Sequence, residues 1–420
     1  MKTDEIIAAM LAEVAELTAV SRPLVECRDC LLAGPVVASA NLPPWPVASR
    51  DGYAIRAADV SIASASFPIR LPVVGEIAPG EAPPDTLAAG CALRVMTGAP
   101  LPAGADAVVR SEDARFEHAT SPHDNVDILF PVASGQFVAQ AGSEFASGAP
   151  AVPAGLTLGP AELAAMAALG LSHALVIPRP QVAIVVTGTE LRRQSAASEF
   201  SNLYASNGVL VTAMVQACGG VVASLRIVSD DRVELTDALQ SAMSADFIVT
   251  TGGTGRGSRD VMGTVLQDQE ATSMWNLKVR GRRPATFRML RKRLGDRLIP
   301  HLALPGRPVA AMVAFSLFAF PLLQRLSGRP QRKAQYRRAR LAAIPESVQK
   351  SQRFFPVRLR YRESRWEAVP TGDASLYGLA AAIGAHGFAL LGQSRDEPAA
   401  GRLVRVLVPP WQEIVRYDAS

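Results

Sequence analysis

Apolar positions along this chain change period several times, and each change marks a boundary between elements. Near the N-terminus Ile6, Ile7, Met10, Leu11, Val14 and Leu17 recur at three- and four-residue intervals, which predicts an amphipathic helix over residues 4–17. Between about 35 and 150 the runs shorten. Segments such as Ile69–Ile77 and Val126–Val132 stand between the turn clusters NLPPWP, APGEAPP, APLPAG and ATSPHDN, the pattern of short strands joined by tight turns. Helical spacing returns in PAELAAMAALG, which starts at Pro160 and closes at Gly170. From Arg179 onward, continuous apolar runs alternate with helical stretches. Strands are predicted at VAIVV (182–186), VVASLRIV, DFIVTTGG (246–253) and HLALPG (301–306), with helices over 206–218, 231–243 and from Val309. Strands that are apolar on both faces and separated by helices predict a doubly wound parallel α/β sheet, here spanning 178–327. After SGRP (327–330), the runs FPVRLRY, WEAVP, GFALLG and RLVRVLVPP predict a small β-barrel or sandwich.

Composition narrows the class. In 420 residues, 49% are hydrophobic and 19% charged, enough apolar material for several cores and too little charge for a disordered chain. The longest apolar run, Val309 to Leu323, is interrupted by Ser316 and Pro321 and is shorter than the roughly 20 residues that cross a bilayer, so it reads as a buried helix. The N-terminus carries Asp4 and Glu5 where a signal peptide needs positive charge. A cytoplasmic protein with no membrane partner is expected. Cys27 and Cys30 form a C-x-x-C, but Cys91 and Cys218 stand apart, which favours reduced buried thiols over a zinc site. Net charge is +5, and the cations cluster. One basic run extends from Lys278 to Arg297 and a second from Arg325 to Arg340. Both suggest an anionic partner. No helix-turn-helix, zinc-finger or RNP-like pattern accompanies them, so nucleic acid is not expected.

In a doubly wound sheet, ligands bind outside the carboxyl ends of the strands. Three such ends carry polar glycine-rich turns here: TGTE (187–190), TTGGTGRGSRD (250–260) and LPGRP (304–308). Gly252, Gly253, Gly255 and Gly257 permit close backbone approach to a ligand, and amides ahead of the next helix would face an anion; a tight turn needs the same glycines. No Walker lysine and no G-x-G-x-x-G follows the first strand, which disfavours ordinary nucleotide folds. Glu190 and Asp260 follow strand ends beside these loops, as Mg²⁺ ligands or as helix N-terminal charges. Arg280, Arg282 and Arg283 suit phosphates and tetrahedral oxyanions, or solvent. In the β-rich region Asp51 precedes a glycine and Thr97 opens Thr-Gly-Ala-Pro, both consistent with plain turn chemistry.

DGYA (51–54), R-x-M-TGAP-x-P-x-G-x-DAVV (94–109), TG-x-EL (187–191), Ser206-Asn207, TTGG (250–253), Asp260 and LPG-x-PVA (304–310) occur in that order along nearly the whole chain. In these motifs the chain resembles the MoeA-type molybdopterin molybdenumtransferases, the family that includes the C-terminal domain of gephyrin. The resemblance implies a multidomain α/β plus β architecture. Residues 1–44 and 141–177 would form an elongated N-terminal domain, 45–140 an inserted β-rich domain, 178–327 a molybdopterin-binding α/β domain, and 328–420 a C-terminal β-barrel. It implies a homodimer with sites shared between subunits, and dealings with a molybdopterin adenylyltransferase and acceptor molybdoenzymes. The implied reaction inserts molybdate into adenylylated molybdopterin with Mg²⁺ and releases AMP. By matching motifs, Asp51, Thr97, Glu190, Asp260 and Arg283 take catalytic positions, with Glu190 and Asp260 on the metal. Gly252, Gly253, Thr254, Gly255, Ser206, Asn207, Arg280, Pro305, Gly306, Arg307, Arg353 and Ser375 take cofactor-binding positions.

The chain departs from the family pattern at several of these motifs. Ala48 and Arg50 replace a serine and a methionine, Thr189 an aspartate, and Ala205 the acidic residue before Ser206. Gly255 replaces a serine, Arg280, Arg282 and Arg283 replace lysine-rich positions, and Arg307 replaces an asparagine. Glu144 occupies an acidic position of the family. These changes add arginine and remove carboxylates, so a more positive pocket is expected. They also raise a second reading, a non-catalytic carrier or chaperone that binds molybdopterin or its molybdenum cofactor.

Overall fold

The computed structural model describes residues 3–82, 85–116, 125–188, 191–192, 203–252, 261–267, 271–277, 285–291, 297–343, 354–362, 364–372, 378–390 and 400–413. The packing of Cα atoms divides the chain into two units: Met1–Val20, Asp29–Leu31 and Val176–Ser420 form one, Ser21–Arg28 and Leu32–Leu175 the other.

The second unit is β-rich. Its main sheet has six strands in the spatial order Ala107–Arg110, Gly52–Ile55, Ala92–Val95, Ile69–Ile77, Asn125–Ile128 and Ala114–Phe116. All neighbours are antiparallel except Ile69–Ile77 with Ala92–Val95. The strand Gly52–Ile55 is buried on both faces, with Tyr53 and Ile55 packing into one core and Ala54 into the other. Gly52 is required there, because a Cβ would lie 1.9 Å from the carbonyl oxygen of Val109. The expected helix from Pro160 is present as Pro160–Ala168, with the Glu162 carboxylate accepting the Gly159 amide at 2.9 Å. Gly170 follows its C-terminus at φ +81°.

The first unit holds the α/β sheet and the C-terminal barrel. The sheet order is Val221–Val228, Gln181–Thr187, Phe247–Thr251, Leu298–Leu304, Ala285–Arg291 and Ala271–Leu277. The first four are mutually parallel, and Ala285–Arg291 runs antiparallel to both of its neighbours, Leu298–Leu304 and Ala271–Leu277. The wholly parallel sheet expected from the sequence is therefore a mixed one. The antiparallel pair went unseen because its connection lies in the basic run 278–297, and ATFRMLR breaks its apolar pattern with Arg288. That arginine is buried all the same, at 7% exposure.

Helices Ser206–Ala217 and Pro308–Leu326 pack on one face of this sheet over Val182, Ile184, Val186, Phe247 and Leu302. Helix Arg232–Ala242 packs on the other over Ala183, Val185 and Ile248. Asp231 caps that helix by accepting the Val233 and Glu234 amides at 2.8 and 3.0 Å. The apolar helix Pro308–Leu326 is mostly buried, as its sequence suggested, and runs past Ser316 and Pro321 through a π-turn at Phe315–Ala319. At the N-terminus the helix spans only Thr3–Ala12, although Val14 is still buried and Leu17 packs against the same core. The C-terminal strands close into a five-stranded barrel ordered Gln335–Leu341, Arg365–Pro370, Phe354–Arg362, Gly387–Leu390 and Leu403–Val408.

Candidate functional site

Chain direction sets the site. The first strand of the α/β sheet, Gln181–Thr187, has the second strand on one side and the third on the other, and the connecting helices lie on opposite faces. A crevice therefore opens where the ends of Gln181–Thr187 and Phe247–Thr251 diverge. Val186 is level with Thr251, and Thr251 with Leu304, so three strand ends meet there.

Gly252 closes the floor of this crevice. It has φ +100°, and a Cβ on it would lie 2.0 Å from the Thr187 carbonyl oxygen. The neighbouring Pro305-Gly306 turn approaches so closely that a Cβ at Gly306 would lie 3.7 Å from the Gly252 Cα. Asn207 ties these parts together. Its Nδ2 donates to Thr251 Oγ1 at 2.9 Å and to the Gly306 carbonyl at 2.8 Å, while its buried Oδ1 has no hydrogen-bond partner among the described residues. The helix that bears it begins on Ala205, which supplies no side-chain cap, and Ser206 is exposed beside it. Its positive N-terminal end thus faces the crevice without a capping oxygen. Arg307, also exposed, precedes Pro308 at the start of the next helix.

Sequence reasoning missed Thr187, Thr251 and Asp230. The Thr187 hydroxyl donates to Asp230 Oδ1 at 2.5 Å, which places a carboxylate beside the first strand end. The usable signal was an acidic residue two positions beyond a parallel strand, Val221–Val228. Of the remaining expected residues of this unit, Glu190, Gly253, Thr254, Gly255, Asp260, Arg280, Arg283, Arg353 and Ser375 lie outside the described residues, as does Thr189. Among the described residues, no three His, Cys, Asp or Glu side chains converge as a metal-binding group.

A second polar group lies deeper in the same sheet. Thr250, Arg288 and His301 each stand two positions from Ile248, Leu290 and Ile299 and so share their face, beneath helix Arg232–Ala242. His301 Nε2 lies 3.0 Å from Thr250 Oγ1, and its Nδ1 has no partner among the described residues. Arg288 stands opposite His301 in the antiparallel register. Burial, with a smaller contribution from Arg288, pushes the His301 pKa down to about 3. Below pH 6.5 the unfolded chain then takes up a proton that the folded chain refuses, so stability falls as pH falls. From this group alone the expected loss by pH 5 is about 2 kcal/mol. His301→Gln is expected to remove that part of the acid sensitivity. Denaturant unfolding of both chains at pH 7 and pH 5 tests it, and parallel losses would refute the assignment.

In the β-rich unit the structure brings Asp51 and Thr97 together. Asp51 Oδ1 accepts both the Thr97 amide and the Thr97 hydroxyl at 2.7 Å. These two bonds hold the Asp51 pKa below the usual carboxylate value. An exposed, ionised carboxylate therefore positions an exposed hydroxyl in a turn that Gly98 completes at φ +87°. Ala48 is buried beneath the turn and bonds it twice: its carbonyl accepts the Gly98 amide at 2.7 Å, and its amide donates to the Ala99 carbonyl at 2.9 Å. Arg50 is exposed and donates to the Ser49 carbonyl at 3.2 Å. Glu144 lies in an exposed turn.

A crevice floored by glycine, edged by a helix N-terminus and flanked by arginine has the geometry that open α/β folds use to hold anions. Comparison with known proteins makes that class specific. Residues 1–170 match the family model "MoeA N-terminal region (domain I and II)", and residues 183–325 match "Probable molybdopterin binding domain". The chain is 32% identical over 350 residues to Molybdopterin molybdenumtransferase 2 of Mycobacterium tuberculosis, covering 81% of this chain and 84% of that one. It is 32% identical over 408 residues to Molybdopterin molybdenumtransferase of Synechococcus elongatus, covering 94% and 96%. A crystal structure of a molybdopterin biosynthesis MoeA protein from Pyrococcus horikoshii superposes with a TM-score of 0.73 at 26% identity, covering 99% of this chain and all of that one. The chain belongs to the MoeA family of molybdopterin molybdenumtransferases.

Proposed function

We propose that this chain acts in molybdenum cofactor biosynthesis, inserting molybdate into adenylylated molybdopterin with release of AMP. The observation that carries this reading is the convergence at the sheet's switch point of Gly252, the Pro305-Gly306 turn and the Asn207 helix end, backbone groups of the kind that contact a phosphate. Phosphoryl displacement needs little covalent help from a protein; it needs the anhydride held in place and its charge neutralised. The helix terminus and Arg307 supply part of that charge, and Arg280 and Arg283 belong to the same proposal. Asn207 fixes the distance between the glycine floor and the Gly306 turn, so the two backbone segments that approach the ligand move as one.

Mg²⁺ belongs to this proposal as a partner of Glu190 and Asp260, whose oxygen donors suit a hard cation. Bound there, it would neutralise charge on the phosphates. Asp51 keeps the Thr97 hydroxyl oriented and ionises fully at neutral pH, a polar pair suited to contact with substrate. A homodimer, a four-part domain division and a cytoplasmic setting complete the reading. The carrier alternative rests on the substitutions alone and is disfavoured, since the relatives closely covered by this chain bear the transferase name.

The test is AMP release from adenylylated molybdopterin by the purified chain. Release is expected to be stimulated by molybdate and lost when Mg²⁺ is withheld. Tight pterin binding with no AMP formed under any of these conditions would overturn the proposal in favour of the carrier.

A further inference from the structure

The outer face of the C-terminal barrel carries an excess of charge that the crevice does not use. Along its strands Ala339, Leu341, Val357, Leu359, Ala368, Val404 and Val406 point inward and form the barrel core. The residues between them therefore point outward. On Gln335–Leu341 these are Arg338 and Arg340, the end of the second basic run, and on the adjoining Leu403–Val408 it is Arg405. On Phe354–Arg362 they are Arg358, Arg360 and Arg362, and Arg365 opens the strand between. All seven are exposed. Among the described residues one carboxylate, Glu367, shares the face, level with Arg340 on one side and Arg360 on the other.

The register makes the excess costly. Arg338 stands opposite Arg405, and Arg362 opposite Arg365, in antiparallel pairs. Like charges at opposed positions destabilise a sheet. Part of the cost is relieved locally. Arg405 lies over the Tyr336 ring at 4.0 Å, and Arg340 reaches the Gly401 carbonyl at 3.0 Å. Among the described residues, however, no carboxylate pairs with Arg338, Arg360, Arg362 or Arg365. Among the described residues this face therefore carries uncompensated positive charge, which an anionic surface would complement.

We propose that this face is a docking surface for the acidic surface of a partner protein. Guanidinium forks pair bidentately with carboxylates. Outward residues two apart along a strand are spaced by about 6.7 Å, and neighbouring strands by about 4.8 Å, a grid that carboxylates on a partner's strand or loop reproduce. Nucleic acid fits less well. Single-stranded binding surfaces interleave cations with open aromatic platforms. Here the Tyr336 ring is covered by Arg405, and Trp366 packs against the barrel core and Tyr361.

The double variant Arg338→Thr/Arg362→Thr removes one member of each opposed pair. The probes are fluorescent poly-L-glutamate and oligo(dT), titrated against the intact chain at low and moderate salt. The parent is expected to bind poly-L-glutamate more tightly than oligo(dT), with affinity falling as salt rises. The variant is expected to bind poly-L-glutamate about tenfold more weakly, as loss of two exposed ion pairs implies. Its melting temperature is expected to equal or exceed the parent's, because repulsion has been removed, and its AMP release to be unchanged. Unaltered poly-L-glutamate binding in the variant would overturn the proposal. So would tighter binding of oligo(dT) with the same sensitivity to the variant, which would assign the face to nucleic acid. A lowered melting temperature would show that the arginines serve the fold instead.

Discussion

Gly252→Ala is expected to abolish AMP release and to lower the stability of the α/β unit by roughly 3–5 kcal/mol, the sum of a left-handed backbone penalty and a steric displacement. Both causes act at this one atom. Its φ of +100° lies in a region that residues with a Cβ rarely adopt. The added methyl would also lie 2.0 Å from the Thr187 carbonyl oxygen, a backbone atom in a strand paired on both sides. Thr187 cannot step aside without disturbing its neighbours, so the turn after Thr251 has to move, and the crevice floor moves with it. Gly306→Ala is the matched control. Its Cβ would meet the Gly252 Cα at 3.7 Å, an ordinary contact, and no left-handed φ is involved. Circular dichroism melts of the two variants are expected to diverge, by roughly 10 °C for a unit of this size. Equal melting of Gly252→Ala and the parent would refute the close approach.

The contrast between these glycines shows what the sequence could disclose. The alternation of apolar runs with helices located the sheet, and the order of turn motifs located its ligand-facing end. Gly252 and Gly306 were both singled out, but nothing in TTGG or LPG distinguishes the glycine that cannot change from the one that can. That difference arises from strand adjacency, because Thr187 is 65 residues away in the chain and becomes a neighbour only when the second strand has crossed to the far side. The antiparallel return was hidden for a related reason. Arg288 reads as a surface cation in a basic run, and only pairing with Leu298–Leu304 turns it inward beside His301. Asp51 and Thr97 were found by motif alone; their direct hydrogen bonds join positions 46 apart. Thr187 read as the first residue of a turn and Thr251 as a strand residue; both end strands and are polar parts of the site. Asp230 carried the weakest signal, a single carboxylate in a turn.

Asn207→Asp is expected to be the most damaging isosteric change in the crevice, because it alters polarity where shape is already satisfied. The amide orientation follows from its neighbours: the Gly306 carbonyl can only accept, so the atom 2.8 Å from it must be the NH₂ nitrogen. Aspartate would put an oxygen there, with two acceptors face to face and a negative charge at a side chain 9% exposed. Thr251 could turn its hydroxyl toward the new carboxylate, but Gly306 has no proton to offer. The expected cost near neutral pH is about 3 kcal/mol, the scale of a buried charge with an unmatched partner. AMP release should fall with it, since the Gly306 turn is no longer tied to the helix end. The pH dependence separates this cause from a simple loss of contact. Burial raises the new carboxyl's folded pKa above its unfolded value, so the folded chain holds the proton more tightly. Protonation also restores one donor. The stability deficit of Asn207→Asp relative to the parent should therefore shrink as pH falls from 7 toward 5, whereas the deficit of Asn207→Ala should not change with pH. Denaturant unfolding of the three chains at both values decides it, and a constant deficit for the aspartate would mean that Nδ2 is not the atom facing Gly306.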